Sequence, residues 1–314
     1  MYQQFALLFL LIVTGFLCRK YNIVTDAMMS GLNKFIIVIS FPCLILYRTS
    51  NLDIDHKIFT NFLITLLIFV CLMFIFALYA YFYTKARKFP RDDTPVIEFS
   101  ICCPNNGFMG FPIAMVFFGD IGLLYMIACN LGLNVFFFSY GVLLMKRDRI
   151  EPGQSLKKKI LELIFLLINP KICSAVVGLI ICYNQINLPE IIDTYLSTVG
   201  AVASPMAMIY IGTTIVGGLS FSILKDRAVI EAGISKLLVV PIITILIVFF
   251  LPIDPLVKNT LIIANTLPVA TTVPIFSQQY DRNKKLASEI LIVSTIVSMV
   301  TIPMFVWITN HLPL

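Results

Sequence analysis

Long apolar runs alternate along the chain with short polar or basic clusters, without the strict apolar/polar alternation of half-buried strands. Runs of this length fit helices crossing a hydrocarbon layer of about 30 Å. Ten are predicted, at roughly residues 3–18, 32–49, 59–83, 94–118, 122–145, 160–182, 191–218, 229–251, 256–278 and 286–309. Two are interrupted internally. The fourth contains CPNNGFMGFP, with Pro104, Asn105, Asn106, Gly107, Gly110 and Pro112; the ninth contains NTLPVATTVP, with Asn265, Pro268 and Pro274. Proline inside a helix removes an amide donor and crowds the preceding turn. In hydrocarbon each orphaned backbone group costs roughly several kcal/mol, so such breaks are expected only where protein, water or a ligand satisfies them.

Composition agrees with this pattern: 59% of the 314 residues are apolar and 13% charged, with mean hydropathy +0.94. An all-α integral membrane protein is predicted. The first run, FALLFLLIVTGFLC, has no basic segment before it and no small-residue cleavage site after it, so a retained span is expected, with a removed signal peptide as the alternative. The eight cysteines are scattered without a CxxC pair and are expected to pack as apolar side chains. No metal or other cofactor is predicted.

Charge sets the expected topology. Arg19 and Lys20, Lys85 to Arg91, Lys146 to Lys159, Lys225 and Arg227, and Arg282 to Lys285 place 17 of the 23 Lys and Arg in alternate loops. The opposite loops hold Arg48, Lys57 and Lys258, while Lys34, Lys171 and Lys236 are read as lying near helix ends. By the positive-inside rule the basic loops are cytoplasmic and both termini face outward, in the plasma membrane. The net charge of +6 follows from this topology and implies no nucleic acid partner.

The longest basic loop, Lys146 to Lys159, divides the chain into residues 1–150 and 151–314, five helices each. Sliding the chain by 163 positions superposes FPCLILY (Phe41 to Tyr47) on SPMAMIY (Ser204 to Tyr210), Gly15 on Gly178 and Ile23 on Ile186. A slightly smaller offset brings Pro112 near Pro274 and Asp120 near Asp281. With an odd number of helices per half, the second half enters the membrane inverted, an architecture of many secondary transporters.

The two broken helices correspond in this repeat and predict a shared central site. Free amides at half-helix N-termini suit an anionic group, and unwound carbonyls suit a cation. Asn105, Asn106 and Asn265 at the breaks, with Asn130 and Asn134 on one face of the fifth helix, are the candidate substrate ligands; interhelical hydrogen bonding is the alternative role. Glu98, Glu231 and Glu289 lie one or two turns inside helix ends. Each could carry a coupling proton or, the reading preferred for all three, simply reach the interface; Glu98, on the same helix as the asparagines, is the proton candidate among them, while Gln278 and Gln279 are weak candidates for sodium.

PNNGFMGFP (Pro104 to Pro112), INPKICSAVVGLI (Ile168 to Ile180) and the end from Asn265 through STIVSMVTIP to Pro303 resemble segments of the auxin efflux carrier family, which includes plant PIN carriers and bacterial malate and malonate permeases. The resemblance covers essentially the whole chain. It implies ten helices in two inverted repeats, helices four and nine crossing at their prolines, a fold similar to bile acid sodium symporters, organic-anion substrates and a homodimer. It also implies that Asn105 contacts the substrate carboxylate, that Pro112 and Pro268 are crossover positions and that Asn130 is a fifth-helix ligand. The short loop between halves and the single tryptophan, Trp307, depart from the plant carriers and weigh against an indole substrate.

The expectation is a carrier for a small mono- or dicarboxylate working by alternating access, by an elevator-like or rocking movement. A sodium-coupled symporter is the alternative, and proton, sodium and uncoupled transport all fit. An anion-sensing receptor is disfavoured because no signalling domain accompanies the spans. An enzyme is disfavoured because HExxH, GxSxG, paired histidines and an intramembrane carboxylate dyad are absent from the sequence.

Overall fold

The structure is a computed structural model and describes residues 2–147, 170–216 and 223–311. Its main helices are α1 (Tyr2–Lys20), α2 (Asp26–Ser50), α3 (His56–Arg87), α4 (Thr94–Cys102), α5 (Asn106–Met145), α6 (Pro170–Tyr183), α7 (Glu190–Ile215), α8 (Arg227–Phe249), α9 (Pro255–Thr266), α10 (Thr272–Gln279) and α11 (Lys284–His311). Each predicted span coincides, where described, with a helix or with two helices flanking a break. Most of the predicted linker and the start of the predicted sixth helix lie outside the described residues.

Local chemistry explains the boundaries. Asp55 starts α3 by accepting the Ile58 amide at 2.7 Å, and Asp254 and Asp226 do the same for α9 and α8. Within α5 the predicted fourth and fifth spans meet at Gly119, whose φ of 65° and ψ of −155° suit a residue without Cβ. Three wide π turns, Ile36–Ser40, Asn106–Gly110 and Ser235–Val239, each end two residues before a proline: Pro42, Pro112 and Pro241. A widened turn relieves the clash between the proline ring and the carbonyl one turn earlier.

Burial is inside-out relative to a water-soluble protein. Leu7, Leu10, Leu67, Leu78 and Val300 are exposed, while Asn106, Asn265 and Lys236 are fully buried. Six helices among the described residues are long and apolar enough to cross a membrane. An outer surface of this kind is stable in lipid, which identifies an integral membrane protein.

The helices form two groups. In the first, α1, α2, α6 and α7 pack mainly on one another; in the second, α3 to α5 and α8 to α11 do so, with sparse contacts between the groups, chiefly from α7 to the first turns of α5. The first group is drawn together by glycines. A Cβ on Gly15 would lie 1.9 Å from the Ile209 carbonyl oxygen, one on Gly212 1.9 Å from that of Ile12, and one on Gly178 1.8 Å from the Thr49 hydroxyl. Without those atoms the backbones approach closely, as small residues allow in membranes.

The three carboxylates placed near helix ends by sequence are all ion-paired. Arg147 forks onto both oxygens of Glu98 at 2.9 and 2.8 Å, Glu231 is held by Arg87, Arg227 and the Tyr83 hydroxyl, and Lys285 lies 3.9 Å from Glu289. Glu98 is buried and also accepts from Thr84. Removing one partner of such a pair strands a buried charge. Arg147→Ala is therefore expected to cost about 3 kcal/mol, the low end for a buried pair because Arg147 is partly exposed. The double variant Glu98→Leu/Arg147→Leu should recover much of that loss in thermal unfolding of the detergent-solubilised protein. Equal losses in single and double variants would show that the charge pairing is unimportant.

Candidate functional site

The two broken segments meet. Residues 103–105 between α4 and α5 lie antiparallel to residues 268–270 between α9 and α10, with Pro104 opposite Val269. The Asn105 amide donates to the Pro268 carbonyl at 2.8 Å, and the Ala270 amide donates to the Cys103 carbonyl at 2.9 Å. In this pattern neither Pro104 nor Pro268 is asked for an N–H, which is why prolines fit here at no hydrogen-bonding cost. The Val269 amide is taken by the Ser294 hydroxyl of α11 at 3.2 Å. Backbone groups orphaned by the breaks thus find partners across the crossing or in α11, as burial requires.

Side chains at the junction are less satisfied. Asn105 caps α5: its Oδ1 accepts the Phe108 amide at 3.3 Å, while its Nδ2 is buried without a partner among the described residues. Both side-chain polar atoms of Asn106 are in the same condition, as is Oδ1 of Asn265, whose Nδ2 bonds back to the Leu261 carbonyl. An unpaired buried polar atom costs about 1–3 kcal/mol. Four such atoms around one crossing mark a place where a bound molecule or solvent supplies the missing bonds.

Asn130 reaches the same place. Its Nδ2 lies 3.6 Å from the point a Cβ on Gly107 would occupy, so Gly107 leaves room for it. Asn134 is half-buried one turn further along the same face of α5. Gly110 lets α5 approach the other break: a Cβ there would meet Leu267 at 3.1 Å and Met126 at 2.9 Å. Pro112 and Pro274 are buried in the helices leaving the two breaks.

Other candidates are placed elsewhere. Glu98 lies about two turns before Asn105 and is occupied by Arg147 and Thr84, so neither oxygen is left open toward the crossing. Gln278 and Gln279 are exposed in the last turn of α10, well past the break between α9 and α10.

Two lysines read as helix-end residues belong near the crossing instead. Lys171, in the first turn of α6, places Nζ 3.2 Å from the hypothetical Gly107 Cβ and over the rings of Phe41, Phe108 and Phe111 at 4.4, 5.3 and 5.5 Å. Lys236 is fully buried in the wide turn of α8 beside Cys102 and Cys103, its Nζ without a hydrogen-bond partner among the described residues. Its depth was legible: nine residues past Arg227 put it about 14 Å along α8. The position of Lys171 required the packing of α6 against α2. Across the group boundary, Arg48 of α2 bonds Asp120 of α5 at 3.1 and 3.3 Å, and Phe108 stacks on Tyr210 of α7 at 5.2 Å.

Residues 1–306 match the family model described as "Membrane transport protein". Two archaeal proteins are similar over nearly their whole length. An uncharacterized transporter of Methanothermobacter thermautotrophicus is 24% identical over 304 residues, covering 94% of each chain. An uncharacterized transporter of Methanocaldococcus jannaschii is also 24% identical over 304 residues, covering 95% of this chain and 96% of its own.

Proposed function

The chain belongs to the membrane transport protein family, that of the auxin efflux carriers, and from this premise we propose a secondary carrier for a small mono- or dicarboxylate. The observation that carries the reading is the break-to-break pairing of residues 103–105 with 268–270, ringed by unpaired amides. Among the four unpaired atoms, the Nδ2 groups of Asn105 and Asn106, together with the N-terminus of α5, offer an anion neutral hydrogen bonds and partial positive charge.

Alternating access around the crossing is the mechanism. The group containing α3 to α5 and α8 to α11 carries both breaks and moves against the group of α1, α2, α6 and α7, and the sparse contacts between them favour movement there. The reading takes the chain as ten spans in two inverted halves. What supports the repeat is that the 163-residue offset maps the Gly15–Ile209 approach, 1.9 Å from a Cβ to the carbonyl oxygen, onto Gly178–Leu46, where the corresponding distance is 3.3 Å. The proposal puts both termini outward, a reading supported by the alternate-loop distribution of Lys and Arg, with the plasma membrane as the host membrane. A homodimer through the stationary group completes the proposal.

Purified protein in liposomes is expected to take up labelled malonate, malate or acetate when the anion is present outside, with pH and sodium gradients imposed separately to find the coupling ion. Binding of an anion without flux would favour a receptor. Absence of both binding and flux for organic anions would overturn the substrate class.

A further inference from the structure

We propose that Lys171 is the fixed countercharge of the transported anion, presented to the crossing by the helix group that does not carry the breaks; this rests on the carrier reading above. Among the described residues Lys171 makes no ion pair and no hydrogen bond, although its ammonium is enclosed by three aromatic rings. A half-buried ammonium packed among aromatic rings without an anion is costly, and cation–π contacts offset only part of the lost hydration. Most of the protein's other interior charges have partners: Glu98 has Arg147, and Glu231 has two arginines.

The surroundings point to an anion. The ammonium lies against Gly107, two residues from Asn105, at the N-terminal turn of α5 where backbone amides carry partial positive charge. The Asn130 Nδ2 approaches the same glycine, and the unpaired, fully buried Asn106 amide is its direct chain neighbour. Ammonium, helix terminus and side-chain amide donors converge, while no carboxylate among the described residues pairs with Lys171. A carboxylate is the chemical complement of that set.

The rings define the second part of the inference. Phe41 belongs to α2, and Phe108 and Phe111 to α5, so the cage is assembled from both helix groups. The rings hold the ammonium, and a carboxylate of the substrate takes their place as its partner. The substrate is thereby recognised by its charge as well as by the hydrogen bonds that a neutral amide could equally make.

The test compares charge recognition in wild type, Lys171→Gln and Lys171→Arg, each reconstituted in liposomes after confirming a single monodisperse species. Uptake of the fastest-carried anion among labelled malonate, malate and acetate is inhibited by unlabelled malonate or by its neutral diamide, malonamide. Wild type is expected to prefer malonate at least tenfold. Lys171→Gln should raise KM for the anion at least tenfold and bring the two inhibitors within about twofold of each other, while Lys171→Arg should retain most of the preference. An unchanged KM and preference in a transporting Lys171→Gln protein would overturn the role of Lys171 and leave the carrier reading standing. No anion flux in wild type would instead overturn the carrier reading, and this inference with it. Should Lys171→Gln fail to fold, Lys171→Met and Lys171→Arg are compared by anion-induced thermal stabilisation; equal stabilisation by malonate would reject the proposal.

Discussion

Asn105→Asp is expected to fold as wild type does and to lose transport at least 100-fold. Aspartate is as good a helix cap as asparagine, so the bond from the Phe108 amide survives the change. What is lost is the Nδ2 donor, and what is gained is a negative charge facing an anionic substrate. Two like charges about 4 Å apart at an effective dielectric near 20 repel by about 4 kcal/mol, enough for a loss between 100- and 1000-fold. Asn105→Ala has the opposite profile. It removes the cap, at a cost of about 1 kcal/mol, and introduces no repulsion, so transport falls by a smaller factor, about tenfold. Liposome flux should thus rank wild type, Ala, Asp, whereas thermal stability ranks wild type and Asp together above Ala. If flux simply tracks stability, Asn105 is a structural cap and the substrate lies elsewhere.

Gly212→Ala is expected to lower the unfolding temperature by about 10 °C or to abolish a monodisperse product. The added Cβ would lie 1.9 Å from the Ile12 carbonyl oxygen and 2.8 Å from the Phe16 amide nitrogen, both backbone atoms, so no rotamer change relieves the overlap. Forcing α1 and α7 apart costs about 3 kcal/mol, near the upper end of overpacking effects, and a helical protein of this size loses roughly 2–4 °C per kcal/mol. Gly233→Ala in α8 is the control. No atom lies within 4 Å of its Cβ position, and alanine favours the helix by up to about 1 kcal/mol. Gly15→Ala should be damaging for the same reason, since its Cβ would lie 1.9 Å from the Ile209 carbonyl oxygen, whereas Gly178→Ala meets chiefly the Thr49 side chain and should cost less. A harmless Gly212→Ala would mean that the first helix group yields readily and cannot serve as a rigid support.

The positions of the helices and their two interruptions were legible in the chain because both depend on local chemistry. Apolar run length sets helices in lipid, and proline or asparagine interrupts a helix wherever it stands. The pairing of residues 103–105 with 268–270 was suggested by the repeat and the family resemblance, but its hydrogen bonds and the use of the Ser294 hydroxyl as acceptor for the Val269 amide depend on residues over 160 and 25 positions apart, which no local pattern encodes. Glu98 illustrates the limit from the other side. A carboxylate near a helix end reads either as a proton carrier or as a structural group, and only the fold shows that Arg147, 49 residues later, bonds both of its oxygens.

Lys171 shows most clearly where sequence ends and structure begins. The sequence shows a lysine directly after INP, read there as lying near a helix end, and such a cation is ordinarily solvated. Only the tertiary arrangement placed α6 against α2, turning that cation onto three rings and toward Gly107 of α5, two residues from Asn105. The sequence by itself determined an all-helical membrane chain with two broken helices, because secondary structure in lipid answers to hydrophobicity and backbone donors close along the chain. Which polar groups remain unpaired, and what charge faces them, was decided by packing between distant helices, since satisfaction of a buried group depends on neighbours in space.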